Sequence, residues 1–483
     1  MKSNTKRKGI FLPRHVHLKP GFSLVLLVII GGAISILPQP AGVDPRAFPI
    51  FGIFMALIIG ILMEPYPITV LTLLAFFLCF VFKLITPKEG FDCFGQSVSW
   101  LIVFASIASR AFVKTGLGHR MACFFIQKMG HSSLSLAYGL TLSEVALSPM
   151  IPSNTARASC LTIPLTVSIS ESLGSDPKNH TETRVGQFLS LCSMHANQLA
   201  SALFLTAMAS NPLLKDFMEK LGVQVSWLEW FVMACVPCLA CILLMPWLIY
   251  KLFPPEISTI DNAEELAQQQ LETLSAMSQK EWITVFIFLG MLLCWIFGSF
   301  LGFHTGIVAL GGLCLLLLTN VLDIHDVTGA KDIWNIFIWL SILNAIAGKL
   351  AEYGLIQYYS SLLQRELGGL CWQAVLPIVS VLYYFARYFI PGNVLHACAM
   401  FSAFAGLLIV CGVPPKLGCM TLAFITAFCG FVTPYATSPC PLYYNTGYIE
   451  LKLWWKQGVV TGAVYLLIWG ILGGAWWKML GYW

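Results

Sequence analysis

Long hydrophobic blocks dominate this chain, and the polar residues that interrupt them set its plan. A run of about 20 apolar residues is long enough to cross a bilayer as a helix. Such runs occupy roughly 22–38, 47–63, 67–86 and 98–114, then 187–213 and 227–252, then 282–301, 304–322 and 333–351, and finally 417–446 and 457–480. Two amphipathic stretches, 117–129 and 353–367, read as helices on the membrane surface. Two further apolar stretches, 134–169 and 370–409, are interrupted near the middle and read as re-entrant hairpins. The pattern predicts an all-α polytopic membrane protein with about 11 transmembrane helices plus the two hairpins.

The first interruption is Pro152-Ser153-Asn154-Thr155-Ala156-Arg157. Hydrocarbon cannot solvate freed backbone groups, so such a break survives only inside protein or against a watery cavity. A broken helix also exposes an N-terminus, with unpaired N–H groups and partial positive charge suited to an anion.

The interruptions recur at a fixed offset. Thr115-Gly116-Leu117 corresponds to Tyr353-Gly354-Leu355, and Gly130 to Gly368, both 238 positions apart (116 to 354, 130 to 368). The same offset sets Ser153, Asn154 and Thr155 opposite Pro391, Gly392 and Asn393. Later, Ala209-Ser210-Asn211-Pro212 resembles Ala436-Thr437-Ser438-Pro439. Duplicated halves with breaks in corresponding positions predict an inverted-repeat secondary transporter with its site near the midplane. The chain then divides into a cytoplasmic N-terminal tail (1–21), a first half (22–253), a cytoplasmic helical linker (254–280) and a second half (281–483).

Composition agrees. The chain is 57% hydrophobic and 11% charged, with a mean hydropathy of +0.77. A net charge of +5 over 483 residues gives no reason to expect nucleic acid as a partner. Sixteen scattered cysteines read as small buried hydrophobes, and no metal site is expected even at Cys235, Cys238 and Cys241, which lack a further local ligand. The basic start (Lys2, Lys6, Arg7, Lys8) before the first apolar run places the N-terminus in the cytoplasm. A plastid transit peptide would be longer and rich in Ser, so a bacterial inner membrane is favoured over a plastid envelope.

The exposed helix N-terminus at such a break predicts small dianions as the cargo, and a dianion such as a dicarboxylate needs donors at both ends. Amides and hydroxyls supply them without fixed charge, so that binding stays reversible. Asn154 and Asn393, one per half, are the leading candidates, supported by Ser153, Thr155, Gly392, Ser210, Asn211, Thr437 and Ser438. Cys192 and His195 share a helix face, but nothing completes a catalytic set, and no enzymatic activity is expected.

These motifs resemble the divalent anion:sodium symporter family. The run 152–157, the run Ser201-Ala202-Leu203-Phe204-Leu205-Thr206-Ala207-Met208-Ala209, and Thr433-Pro434-Tyr435-Ala436-Thr437 through Tyr443-Tyr444 are similar to its 2-oxoglutarate/malate translocators and its citrate or tartrate/succinate antiporters. The resemblance implies a homodimer with a scaffold domain and a transport domain moving as an elevator. It also implies that Ser153, Asn154 and Thr155 touch substrate, and it suggests 2-oxoglutarate with malate as the exchanged pair. The second hairpin departs from the family pattern: it reads Pro391-Gly392-Asn393-Val394-Leu395-His396, an amide without flanking hydroxyls.

Arg157 and His396 sit near the two tips and are candidate charge compensators for a dianion. If the protein's own cations balance the substrate, the empty carrier crosses poorly and the loaded one readily, which gives obligatory exchange. The alternative for Arg157 is an ion pair with Glu144. No cofactor is expected. Sodium-coupled symport is the rival mechanism, and only that mechanism brings in sodium; a membrane-embedded enzyme and a channel are more remote.

Overall fold

The structure, a computed structural model, describes residues 20–483 apart from 41, 64, 130, 260–275, 356, 360 and 363–368. The basic N-terminal stretch, the Gly130–Gly368 correspondence and most of the expected linker helix lie outside the described residues.

Among the described residues, six helices are long and apolar enough to cross a membrane, and seven shorter apolar helices accompany them. The first three spans form at Pro20–Ser35, Ala47–Met63 and Ile68–Val81. The fourth, Ser97–Thr115, ends where Gly116 takes the left-handed conformation (φ 81°). Only glycine enters that region without steric cost, and Gly354 repeats the turn with the same φ. The chain then continues into the expected surface helix, Leu117–Met129. The stretch expected to form the second surface helix includes positions outside the described residues. Phe77, Phe286, Ile307 and Leu467 expose their side chains on the outside, as lipid-facing residues of a multi-pass membrane protein do.

Both hairpins form. The first pairs Ser133–Leu147 with a helix that starts at Asn154–Arg157, passes through a π turn at Ala158–Thr162 and continues as Ile163–Ser172. The second pairs Trp372–Ala386 with Asn393–His396, a π turn at Ala397–Phe401 and Ser402–Val410. The two returning helices match segment for segment, but at an offset of 239 (154 to 393, 158 to 397). Asn154 is therefore equivalent to Asn393, not to Gly392. The glycine-anchored register slips by one residue because the chain between the repeated glycine and the tip is one residue longer in the second half.

Two expected spans are broken rather than continuous. The stretch 187–213 is the helix Gly186–Leu203, an irregular segment at 204–209 and the helix Ser210–Lys220. The stretch 417–446 is the helix Pro415–Phe428, an irregular segment at 429–438 and the helix Pro439–Asn445. Gly186–Leu203 is buried at every position but Gln187, although it carries Ser, His, Asn and Gln. It packs against Ser133–Leu147, Trp227–Leu252 and Pro415–Phe428 and forms the polar pillar of the fold. Most of its polar groups find partners within the protein, Gln198 Oε1 being an exception among the described residues: His195 Nε2 lies 2.8 Å from Gln457 Oε1, and His195 Nδ1 lies 3.2 Å from the Tyr465 hydroxyl. These contacts tie the pillar to the last long helix, so the His195 ring is used in packing.

Candidate functional site

All four breaks border one cavity of about 820 Å³. From the first hairpin it receives Ser153, Asn154 and Thr155, and from the second Gly392 and Asn393. The break at 204–209 contributes Met208 and Ala209, followed by Ser210, and the break at 429–438 contributes Tyr435, Thr437 and Ser438. Ser106 and Trp339, on Ser97–Thr115 and Lys331–Glu352, help to close it from outside the hairpins.

The tips are built from local rules. Ser153 caps its helix: its hydroxyl accepts from Ala156 N at 3.2 Å, which leaves its own proton free to donate. Gly392 adopts φ 76°, ψ 133°, a conformation that side chains disfavour, so glycine is required to turn the chain into the second helix. Both helices thus present their N-termini at the cavity. Each terminus carries roughly half a positive charge.

The side chain of Asn154 makes no hydrogen bond within the protein among the described residues, whereas its carbonyl accepts from Asn197 Nδ2 at 3.0 Å. The Asn393 amide is held: Oδ1 accepts from Arg387, and Nδ2 lies 3.2 Å from Met208 Sδ. Thr437 Oγ1 donates to Gly430 O at 3.0 Å and accepts from Gln198 Nε2 at 3.2 Å. Ser210 Oγ is buried without a partner among the described residues, and Ser438 is exposed.

Three expected site residues do not line the cavity. Asn211 is buried behind it, and its Nδ2 donates to Ser201 O at 2.8 Å and Phe204 O at 3.0 Å. Those carbonyls end the broken helix and need donors, so the amide serves the break rather than the substrate. Arg157 is fully buried and paired: Nε lies 2.9 Å from Glu144 Oε2, so its charge is balanced internally. Its other nitrogens donate to Ile151 O (2.5 Å), Ala207 O (2.8 Å) and Ser201 Oγ (2.6 Å), which fastens the first hairpin to the break at 204–209. His396 is fully buried, with Nε2 3.3 Å from Tyr383 O and Nδ1 3.5 Å from Thr426 Oγ1. It packs against the Tyr383 ring instead of facing the cavity.

Two further arginines, Arg110 and Arg387, lie in apolar runs of the sequence, and the second is the one tied to the site. Arg110 Nη2 reaches Asp332 at 2.6 Å and remains partly exposed. Arg387 is fully buried and donates to Gly392 O at 2.9 Å, to Asn393 Oδ1 and to Ala436 O. It therefore fastens the second hairpin to the break at 429–438, as Arg157 does in the first half. The signal in the sequence was a charge where hydrocarbon is expected, and two arginines gave the same one.

The profile of the sodium:sulfate symporter transmembrane region matches residues 19–483. The chain is 37% identical over 461 residues to the putative malate transporter YflS of Bacillus subtilis, covering 95% of this chain and 96% of that protein. It is 35% identical over 466 residues to dicarboxylate transporter 1, chloroplastic, of Arabidopsis thaliana, covering 95% of this chain and 83% of that protein. It is 28% identical over 482 residues to the citrate/succinate antiporter of Escherichia coli, covering 96% and 98%. With its duplicated breaks around one cavity and a profile match running almost from end to end, this chain belongs to the sodium:sulfate symporter family.

Proposed function

We propose that this chain is a secondary transporter that exchanges small dicarboxylates across a membrane by alternating access. The observation that carries this reading is the meeting of Asn154 and Asn393 at one cavity, each at the N-terminus of a returning helix. Two amides and two partial positive charges oppose one another, an arrangement that suits an anion with a carboxylate at each end. The relatives are named for malate, for dicarboxylates and for citrate with succinate, all small acids with at least two carboxylates. Malate with 2-oxoglutarate is the first pair to test. Ser153, Thr155, Thr437 and Ser438 are the supporting donors.

The hairpins and the two broken spans form the moving body in this reading, and the helices carrying Ser106 and Trp339 belong to a static scaffold. An elevator-like displacement of one against the other exposes the cavity to each side in turn. The chain works as a homodimer in a bacterial plasma membrane, without a catalytic step. Sodium-coupled symport is the second reading, favoured by Ser210 Oγ and Asn211 Oδ1, buried oxygens without partners among the described residues. Oxygen ligands of this kind suit a hard cation.

Reconstitution into liposomes separates the two. Exchange predicts uptake of labelled malate into vesicles loaded with malate or 2-oxoglutarate, little uptake into empty vesicles, and no change when potassium replaces sodium. Uptake into empty vesicles driven by a sodium gradient establishes symport instead. Absence of uptake for a whole panel of di- and tricarboxylates under either condition removes the transport reading.

A further inference from the structure

The two halves hold their buried guanidinium groups differently. Arg157 is neutralised by Glu144, itself fully buried. Arg387 has no carboxylate oxygen within 4.0 Å among the described residues, and its Nε has no hydrogen-bond partner there. A buried charge stripped of its partner is costly, so an unpaired one invites a functional explanation. Arg387 sits directly behind the cavity: Gly392 and Asn393, whose oxygens it holds, are on the wall, and Ala436 lies between wall residues Tyr435 and Thr437.

We propose that Arg387 is a positioning residue whose unpaired charge makes the loaded carrier, rather than the empty one, the form that moves. The inference rests on the exchange reading above. Two consequences of the geometry support it. First, Arg387 occupies Asn393 Oδ1, which turns the donor end, Nδ2, toward cavity-lining Met208; one Nδ2 hydrogen goes to Met208 Sδ and the second is left to donate. An amide held this way offers a hydrogen to an anion and withholds its carbonyl. This compensates for the second tip's lack of the hydroxyls that Ser153 and Thr155 supply in the first.

Second, one full positive charge stands behind the cavity wall without a counter-ion: Glu144 cancels Arg157 in the first half, and among the described residues no carboxylate cancels Arg387 in the second. A bound anion offsets that charge. Without it, the moving body carries buried positive charge through the bilayer, which is costly.

The test compares labelled malate uptake into empty and malate-loaded proteoliposomes for the unaltered chain, Arg387→Gln and Arg387→Lys. Gln keeps donor groups and loses the charge, so the ratio of empty-vesicle to loaded-vesicle uptake should rise at least about tenfold. Lys keeps the charge but not the forked geometry, so the ratio should stay within about twofold of the unaltered value while KM rises. A folded Gln variant in which both uptakes fall together, leaving the ratio unmoved, overturns the proposal. So does a Lys variant whose ratio rises although the charge is kept. If Gln yields no folded protein, the Lys arm decides by the same criterion. Counterflow absent from the unaltered chain removes the exchange reading itself. Counterflow present there, with an unmoved ratio in the Gln variant, removes only the role of Arg387.

Discussion

Arg157→Ala is expected to lose dicarboxylate exchange and to be markedly less stable, even though Arg157 does not line the cavity. The substitution leaves Glu144 as a carboxylate at 0% exposure without its cation. Loss of one partner from a buried pair costs about 3–5 kcal/mol. It also removes the donors that satisfy Ile151 O and Ala207 O, two carbonyls freed by the breaks. Each orphaned buried group adds a cost of about 1–3 kcal/mol. Glu144 retains hydrogen bonds from Thr162 Oγ1 (3.0 Å) and Asn197 Nδ2 (3.1 Å), which cannot balance a full charge. The double variant Glu144→Ala/Arg157→Ala should recover part of the stability, since neither charge is stranded, yet remain inactive because the first hairpin is no longer fastened to the break at 204–209. Thermal unfolding in detergent reads the stability, and exchange in liposomes reads the activity. An Arg157→Ala protein that exchanges normally would show that the pair is dispensable.

The two tip asparagines should fail in different ways. Asn154 makes no side-chain hydrogen bond within the protein among the described residues, so Asn154→Ala should cost substrate binding and little else. A hydrogen bond to a charged group contributes about 1.5–3 kcal/mol, so affinity should fall between about tenfold and a hundredfold with unfolding temperature almost unchanged. Asn393→Ala removes a similar donor and also strands part of the Arg387 guanidinium, which bonds to Asn393 Oδ1. It should lose both affinity and stability. Thermal unfolding measured with and without saturating malate distinguishes them: Asn154→Ala keeps the ligand-free midpoint and loses most of the ligand-induced rise, whereas Asn393→Ala starts lower. Equal midpoints for the two variants would contradict the asymmetry between the tips.

Much of this architecture was legible in the sequence for one physical reason. Polar residues are expensive in hydrocarbon, so their clusters mark where the backbone stops being an ordinary span. That logic located both hairpins and brought eight of the nine expected binding residues to one cavity. It also offered the Arg157–Glu144 pair as an alternative, which the structure adopts. The one-residue slip that set Asn154 against Gly392 arose because similarity anchored at Gly116 and Gly354 cannot register a residue gained between anchor and tip. Asn211 looked like a ligand because it lies in one of the repeated polar breaks; only the fold shows that the broken helix has first claim on it. Arg110 and Arg387 were indistinguishable in the sequence, since which of them finds an aspartate depends on the packing of distant segments.

The central claim is that a doubly charged acid bridges the two hairpin tips. A structure of the purified chain determined with saturating malate tests it most directly. The account predicts ligand density between Asn154 and Asn393, one carboxylate toward each tip and both helix N-termini aimed at it. Density at any other place, or a cavity between the tips that stays empty of ligand at saturation, would contradict it.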